Sequence, residues 1–244
     1  MSLSVGQVVK ALRAIATPEK AKTSAWFFKS GPGQYAEGDK FLGVTVPEQR
    51  KIARAFKDLP LAETKKLIMS QWHEERLTGL FILVGQYKRS DTSNKKAIYD
   101  FYITHTKWIN NWDLVDSSAG YIVGSWLDDK PDKMKILTKL AKSSLLWDRR
   151  IAMLATFAYI QHGRAEEALY IAEKLLYDEH DLIQKAVGWM LREIGKRVDR
   201  QILLAFLDKH AATMPRTSLR YAVEHFLPAD RSHYLSLSAK MGSI

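Results

Sequence analysis

Apolar positions recur along this chain at intervals of three and four, the period of one helical face, and no stretch alternates in the manner of a half-buried strand. The pattern predicts helices over Val5–Ile15, Glu19–Phe28, Pro47–Lys57, Leu61–Gln71, Glu74–Lys88, Asn94–Thr104, Trp112–Trp126, Asp132–Lys142 and Leu146–Gln161. It predicts four more over Ala165–Tyr177, Leu182–Lys196, Arg200–His210 and Pro215–His225. Pro18, Pro47 and Pro215 fall at or near first helical positions, where a missing N–H costs nothing. The connections are short and polar, so successive helices should pack as antiparallel hairpins. One segment departs from this, Ser30–Gly43 (SGPGQYAEGDKFLG). Its glycines follow no strand and precede no phosphate-cradling helix, and it reads as a structural loop. The expected fold is therefore all-α, a curved superhelix (solenoid) of HEAT-like helix pairs, forming a single domain over residues 1–244.

The polar positions on these helices are more informative than the apolar ones. In Leu182–Lys196 the residues Leu182, Ile183, Ala186, Val187, Met190, Leu191 and Ile194 form one stripe, while Lys185, Gly188, Trp189 and Arg192 share the opposite face. A Trp between two cations, off the buried stripe, suits an aromatic platform beside phosphate-binding groups, although cations also cover surface Trp side chains by cation–π contact. Leu146–Gln161 is apolar nearly all round and should be buried, yet it carries Arg149 and Arg150 in its first turns. A guanidinium in that setting needs a carboxylate, a carbonyl or a ligand phosphate. In the Trp112–Trp126 segment Asn111 is a natural N-cap and Asp113 a first-turn acid favoured by the helix dipole. Trp112 and Asp116 stand at i and i+4 and share a face, followed by the small Gly120. That arrangement suits a cleft lined by a ring and one acid.

Composition narrows the chemistry. The 244 residues hold no cysteine, which excludes disulfides, thiolate metal sites and Cys nucleophiles. The seven His show no metal-ligand spacing, and no Walker, Rossmann or G-x-S-x-G pattern occurs. An enzyme built on this chain would work with carboxylate, aromatic and cation, without metal or cofactor. No apolar run approaches the roughly 20 residues of a membrane span, and the N-terminal segment lacks a signal-peptide core, so the expectation is a cytoplasmic protein. The net charge of +10 points to an acidic partner, of which nucleic acid is the commonest.

Four blocks in order resemble the AlkD family of bacterial DNA glycosylases, HEAT-like-repeat proteins that excise alkylated bases. They are Phe27–Val44 (FFKSGPGQYAEGDKFLGV) with Pro47 and Glu48, Asn111–Asp116 (NWDLVD), Trp147–Arg150 (WDRR), and Ile183–Glu193 (IQKAVGWMLRE) with Met214–Phe226 (MPRTSLRYAVEHF). The resemblance implies hydrolysis of the N-glycosidic bond of cationic alkylpurines, such as 3-methyladenine and 7-methylguanine, in duplex DNA. It places the family's catalytic acid on Asp116, its two cleft Trp residues on Trp112 and Trp189, and its cleft Arg on Arg150. An aromatic near the mouth, Tyr in some members, is Phe27 here, and the pair Asp181-Leu182 replaces aromatics found in some relatives. Arg149, Lys185, Arg192, Arg216 and Arg220 are further candidates for phosphate contact. The resemblance implies a monomer acting on duplex DNA, with no obligate protein partner and no membrane. The alternative is a non-catalytic HEAT-like module that binds nucleic acid or an acidic protein. Asp116 argues against it, because a carboxylate facing phosphates repels them.

Overall fold

Good helix starts are written into the chain, and the structure uses them. Thr45 caps its helix as a capping box with Glu48 and a proline in the first turn, Asp91 accepts the N–H of Asn94, and Asp199 that of Gln201. The computed structural model describes residues 3–237. Among the described residues there is no strand, only an isolated bridge between Lys40 and Trp72. The all-α, helical-repeat class expected from the periodicity is the one found.

By internal contacts the chain divides after Ser118 into two compact units. The first holds α1 (Val5–Arg13), α2 (Pro18–Phe27), α3 (Val46–Ala55), α4 (Leu61–Ile68), α5 (His73–Arg89), α6 (Thr92–Thr104) and α7 (Trp112–Asp116), with a 3₁₀ turn at Thr106–Trp108. Its long central helix, α5, packs against α3, α4, α6 and α7. A core of Val8, Leu12, Leu42, Val44, Leu59, Leu67 and Ile82 fills the space between them.

The second unit begins with a π-helical turn, Gly120–Gly124, followed by α8 (Ser125–Leu127), α9 (Lys133–Ala141), α10 (Leu146–Ala155) and α11 (Phe157–Gln161). It continues with α12 (Glu166–Leu175), α13 (Asp181–Arg197), α14 (Arg200–His210), α15 (Arg216–Ala222) and α16 (Pro228–Leu237). Here α13 is central, packed against α10, α11, α12, α14 and α15. Every member of its predicted apolar stripe is buried, and α10 is buried on most sides as its composition requires.

Two long predicted helices are interrupted. The 112–126 helix stops after Asp116, where Ser118 Oγ donates back to the Leu114 carbonyl at 2.5 Å and pairs with the Tyr102 hydroxyl at 2.8 Å. Such back-bonding competes with the helical ladder. Gly120 therefore does not continue the face of Trp112 and Asp116. A β-carbon there would lie 3.3 Å from the Leu154 carbonyl oxygen, so its smallness serves close packing against α10 rather than an open cleft. The 146–161 helix is divided at Thr156, whose hydroxyl donates to the Met153 carbonyl at 2.7 Å. One helix, α16, was not predicted at all. Its polar sequence carries little periodicity, and Tyr234 alone is buried, its hydroxyl donating to Asp208 at 2.7 Å.

Candidate functional site

In the first unit the candidate residues gather at α7. Asn111 Oδ1 accepts the N–H of Trp112 at 2.8 Å, which starts the helix, and Asp113, Leu114 and Val115 are buried beneath it. Trp112 is half-buried and lies on an aromatic column. Its ring stacks on Phe28 at 5.4 Å, and Phe28 stacks in turn on Phe41 at 5.5 Å. Phe27 meets Trp112 edge-on at 5.9 Å. Asp116 closes α7, half-buried. Its charge lies near enough to the buried Tyr102 hydroxyl to help burial push that group's ionisation upward.

Under this column is a buried ionic cluster that the sequence pattern did not reveal. His73, 2% exposed in its side chain, presents Nε2 to Asp113 Oδ2 at 2.8 Å and Nδ1 to Asp39 Oδ2 at 3.2 Å. Asp39 also receives Arg76 Nη2 at 2.7 Å. A neutral imidazole has one N–H, so two carboxylates on its two nitrogens call for the protonated ring. Burial acts to lower the His73 pKa, but the charge of Asp113 and the hydrogen bonds to both acids outweigh it and hold the value up at about 9. For Asp39 burial acts upward, and His73 and Arg76 together bring it below the ordinary carboxylate value. Asp113 is a first-turn acid, as its position suggested, but its main partner is an imidazolium forty residues earlier in the chain.

The glycine-rich loop is tied to the same cluster. Glu74, next to His73 on α5, accepts the backbone N–H groups of Leu42 and Gly43 at 2.8 Å each, and the His73 N–H donates to the Lys40 carbonyl at 2.8 Å. Gly43 has φ +80°, and a β-carbon there would lie 2.1 Å from the Thr17 carbonyl oxygen at the start of α2. The loop thus presses α2 against the rest of the unit. That helix buries no residue fully; it exposes Lys20 and Lys22 and ends in Trp26, 81% exposed, and Phe27, 54% exposed. A cleft of about 500 Å³ lies beside them, lined by Trp26, Phe27, Lys29, Gly31 and Gln34 among others.

In the second unit Trp189 is half-buried on α13. Its Nε1 donates to Glu193 Oε1 at 3.2 Å and its ring tilts toward Phe157 at 6.4 Å. Burial would raise the Glu193 pKa, but Arg197 at 2.6 Å and the Trp189 and Arg192 contacts bring it below the usual range. Arg150 is 4% exposed and donates to the Leu182 carbonyl, joining α10 to the first turn of α13. Arg149 is an internal clasp, bound to Asp178 at 2.7 Å and to the carbonyls of Ser143 and Ser144 at 3.1 Å each. Arg192 pairs with Glu224 and lies 3.6 Å from Glu193, Lys185 pairs with Asp181 at 2.7 Å, and Arg216 donates to the Leu235 carbonyl at 2.6 Å. Arg220 is exposed on α15. Among the described residues no group of three or more His, Asp or Glu side chains is placed to hold a metal ion.

A family model described as DNA alkylation repair enzyme matches residues 8–226, which takes in most of each unit and every candidate residue above. The chain belongs to this DNA alkylation repair family. Its fold is similar to that of a predicted DNA alkylation repair enzyme from Enterococcus faecalis, with a TM-score of 0.67 at 17% identity over 87% of this chain and 97% of that one. It is also similar to AlkD2 from Streptococcus mutans, with a TM-score of 0.53 at 19% identity over 92% of this chain and 97% of that one. No curated protein sequence matches significantly. As a repair-family protein the chain has DNA as its partner, and among the described residues no helix is long and apolar enough to cross a membrane.

Proposed function

We propose that this repair protein is a DNA glycosylase that hydrolyses the N-glycosidic bond of positively charged alkylpurines in duplex DNA, 3-methyladenine and 7-methylguanine among them, and leaves an abasic site. The observation that carries the reading is the pairing of Trp112 and Asp116 on one short helix, the ring seated on Phe28 and the acid half-buried at the helix end.

A cationic base is already a good leaving group, so no strong general acid is required. Charge instead develops on the sugar as the bond breaks. An ionised Asp116 beside that sugar lowers the barrier electrostatically and orients the attacking water, a type of contribution typically worth 10²–10³ in rate. The electron-rich face of Trp112 favours the same developing charge, and the family resemblance implies the same kind of role for Trp189. Arg150 is the phosphate-binding cation that the family resemblance implies, working from a buried position. Arg220 is assigned to the flanking backbone, whereas Lys185, Arg149, Arg192 and Arg216 must first release the partners they hold within the protein. Trp26 and Phe27, with Lys20, Lys22 and Lys29 nearby, give an exposed aromatic and basic edge for the duplex. Backbone grip of this kind reads deformability rather than base edges, and the base need not leave the helix. The protein acts as a monomer in this reading.

The test is product analysis on duplexes carrying a single 7-methylguanine or 3-methyladenine. Free methylated base together with an alkali-labile abasic site is the expected outcome. An intact strand bearing the unmethylated base would instead mean a direct-reversal chemistry and defeat the proposal.

A further inference from the structure

A helix of five residues has little stability of its own, because the nucleation cost of a helix is recovered only over many residues. Yet α7 has to carry both Trp112 and Asp116. Of the attachments other than its N-cap that hold it, two lead to His73. Asp113, its second residue, is bound through Oδ2 to His73 Nε2 while Oδ1 accepts the N–H of Leu114 at 2.9 Å. The column under Trp112 also rests on the His73 ring, whose centroid lies 4.6 Å from that of Phe28 and 5.0 Å from that of Phe41. His73 itself is fixed from the far side by Asp39, which Arg76 holds in place. One buried ring thus grips the helix by its acid and the indole through the aromatic stack.

We propose that His73, donating from both ring nitrogens to Asp39 and Asp113, is a positioning residue that fixes Trp112 and Asp116 against the reacting nucleotide. The inference rests on the glycosylase reading of that pair. His73 touches neither substrate nor reacting atoms. Its effect is geometric, and misplacement of a reacting group by about 1 Å can cost on the order of 10²-fold in rate. The charged groups that face the ring are Asp39 from the glycine-rich loop, Asp113 from α7 and Arg76 from its own helix; Phe28, which caps α2, and Phe41 present aromatic faces. When the ring loses a proton, one nitrogen turns a lone pair toward a carboxylate and the grip on α7 or on the loop is lost. Base release should therefore decline as pH rises through the His73 value of about 9.

The experiment is single-turnover release of 7-methylguanine from a duplex as a function of pH, for the wild type, His73→Gln, Asp113→Asn and each of these combined with Asp116→Asn. His73→Gln is expected to be slower by roughly 10- to 100-fold with duplex affinity retained. Asp113→Asn keeps the size of the side chain and an acceptor, and serves where His73→Gln fails to fold. It is expected to move the alkaline decline to lower pH, because Asp113 is the chief charge holding the proton on the ring. A purely structural role would slow the reaction without moving that decline. Against Asp116→Asn, either second substitution should cost less than it does against the wild type, since part of its effect runs through that acid. Wild-type release that both variants leave unchanged, or a pH decline that Asp113→Asn does not move, would overturn the positioning role alone. No release by the wild type would defeat the glycosylase reading and the positioning role with it.

Discussion

The imidazolium in the first unit makes the folded state sensitive to pH in a window where few other groups act. His73 titrates at about 9 in the folded protein and near 6.5 in the unfolded chain. Its folded value is raised, so its contribution is fully present below pH 6.5 and is lost as pH climbs through 9. At about 1.4 kcal/mol per pH unit the gap corresponds to about 3 kcal/mol, and the ring is buried too deeply for solvent to screen much of it. Other shifted groups lie outside the window. His180, whose pKa burial lowers, acts below 6.5, and Tyr234, pushed up to about 12 by burial and Asp208, acts above 10. Urea unfolding at a series of pH values measures the effect directly. The midpoint should fall between pH 6.5 and 9.5 by the equivalent of about 3 kcal/mol with an unchanged slope. His73→Gln should be less stable at neutral pH by about 3–5 kcal/mol, the usual cost of removing one partner from a buried ion pair, and its stability should no longer fall over that range. A flat wild-type profile, or an equal fall in His73→Gln, would refute the doubly protonated clamp.

Other consequences are open to single measurements. Gly43→Ala forces a side chain into a positive-φ position and against the Thr17 carbonyl, so thermal unfolding should show a loss of at least about 2 kcal/mol; an unchanged melting temperature would contradict the packing described. Arg220→Gln should leave stability alone and reduce the slope of log affinity against log salt by about 1, as expected for one lost phosphate contact; an unaltered slope removes Arg220 from the interface. Trp26→Ala removes an exposed ring and should change stability by less than about 0.5 kcal/mol while weakening duplex binding by about tenfold, and equal affinity would show that this edge does not meet DNA.

Much of the helical framework was legible because periodicity reports burial directly. The α13 stripe from Leu182 to Ile194 is buried residue by residue, and Trp189 stands off it, as its spacing indicates. Periodicity does not report tertiary hydrogen bonds, and these end the helix at Asp116, where Ser118 turns back to Leu114 under Tyr102. It also counts charge as exposed. The run His73–Arg76 is buried throughout, and its partners Asp39, Leu42, Gly43 and Asp113 lie some thirty to forty residues away. Local spacing therefore held no signal for the cluster beneath the site, even though it marked Trp112 and Asp116 above it. The arginines show the opposite limit. Arg149 and Arg192 stood as candidates for phosphate contact, and the acids that bind them, Asp178 and Glu224, lie in turns about thirty residues further along the chain, beyond the reach of local spacing.

The central claim is that Asp116 stabilises charge on the sugar as an alkylated base departs. Its most direct test compares wild type with Asp116→Asn under single turnover on a duplex containing one 7-methylguanine, with binding to the same duplex measured in parallel. Free 7-methylguanine is expected from the wild type, with release slower by roughly 10²–10³-fold in the variant and affinity equal or higher once the carboxylate no longer repels phosphate. Equal rates of release from both proteins would contradict the claim.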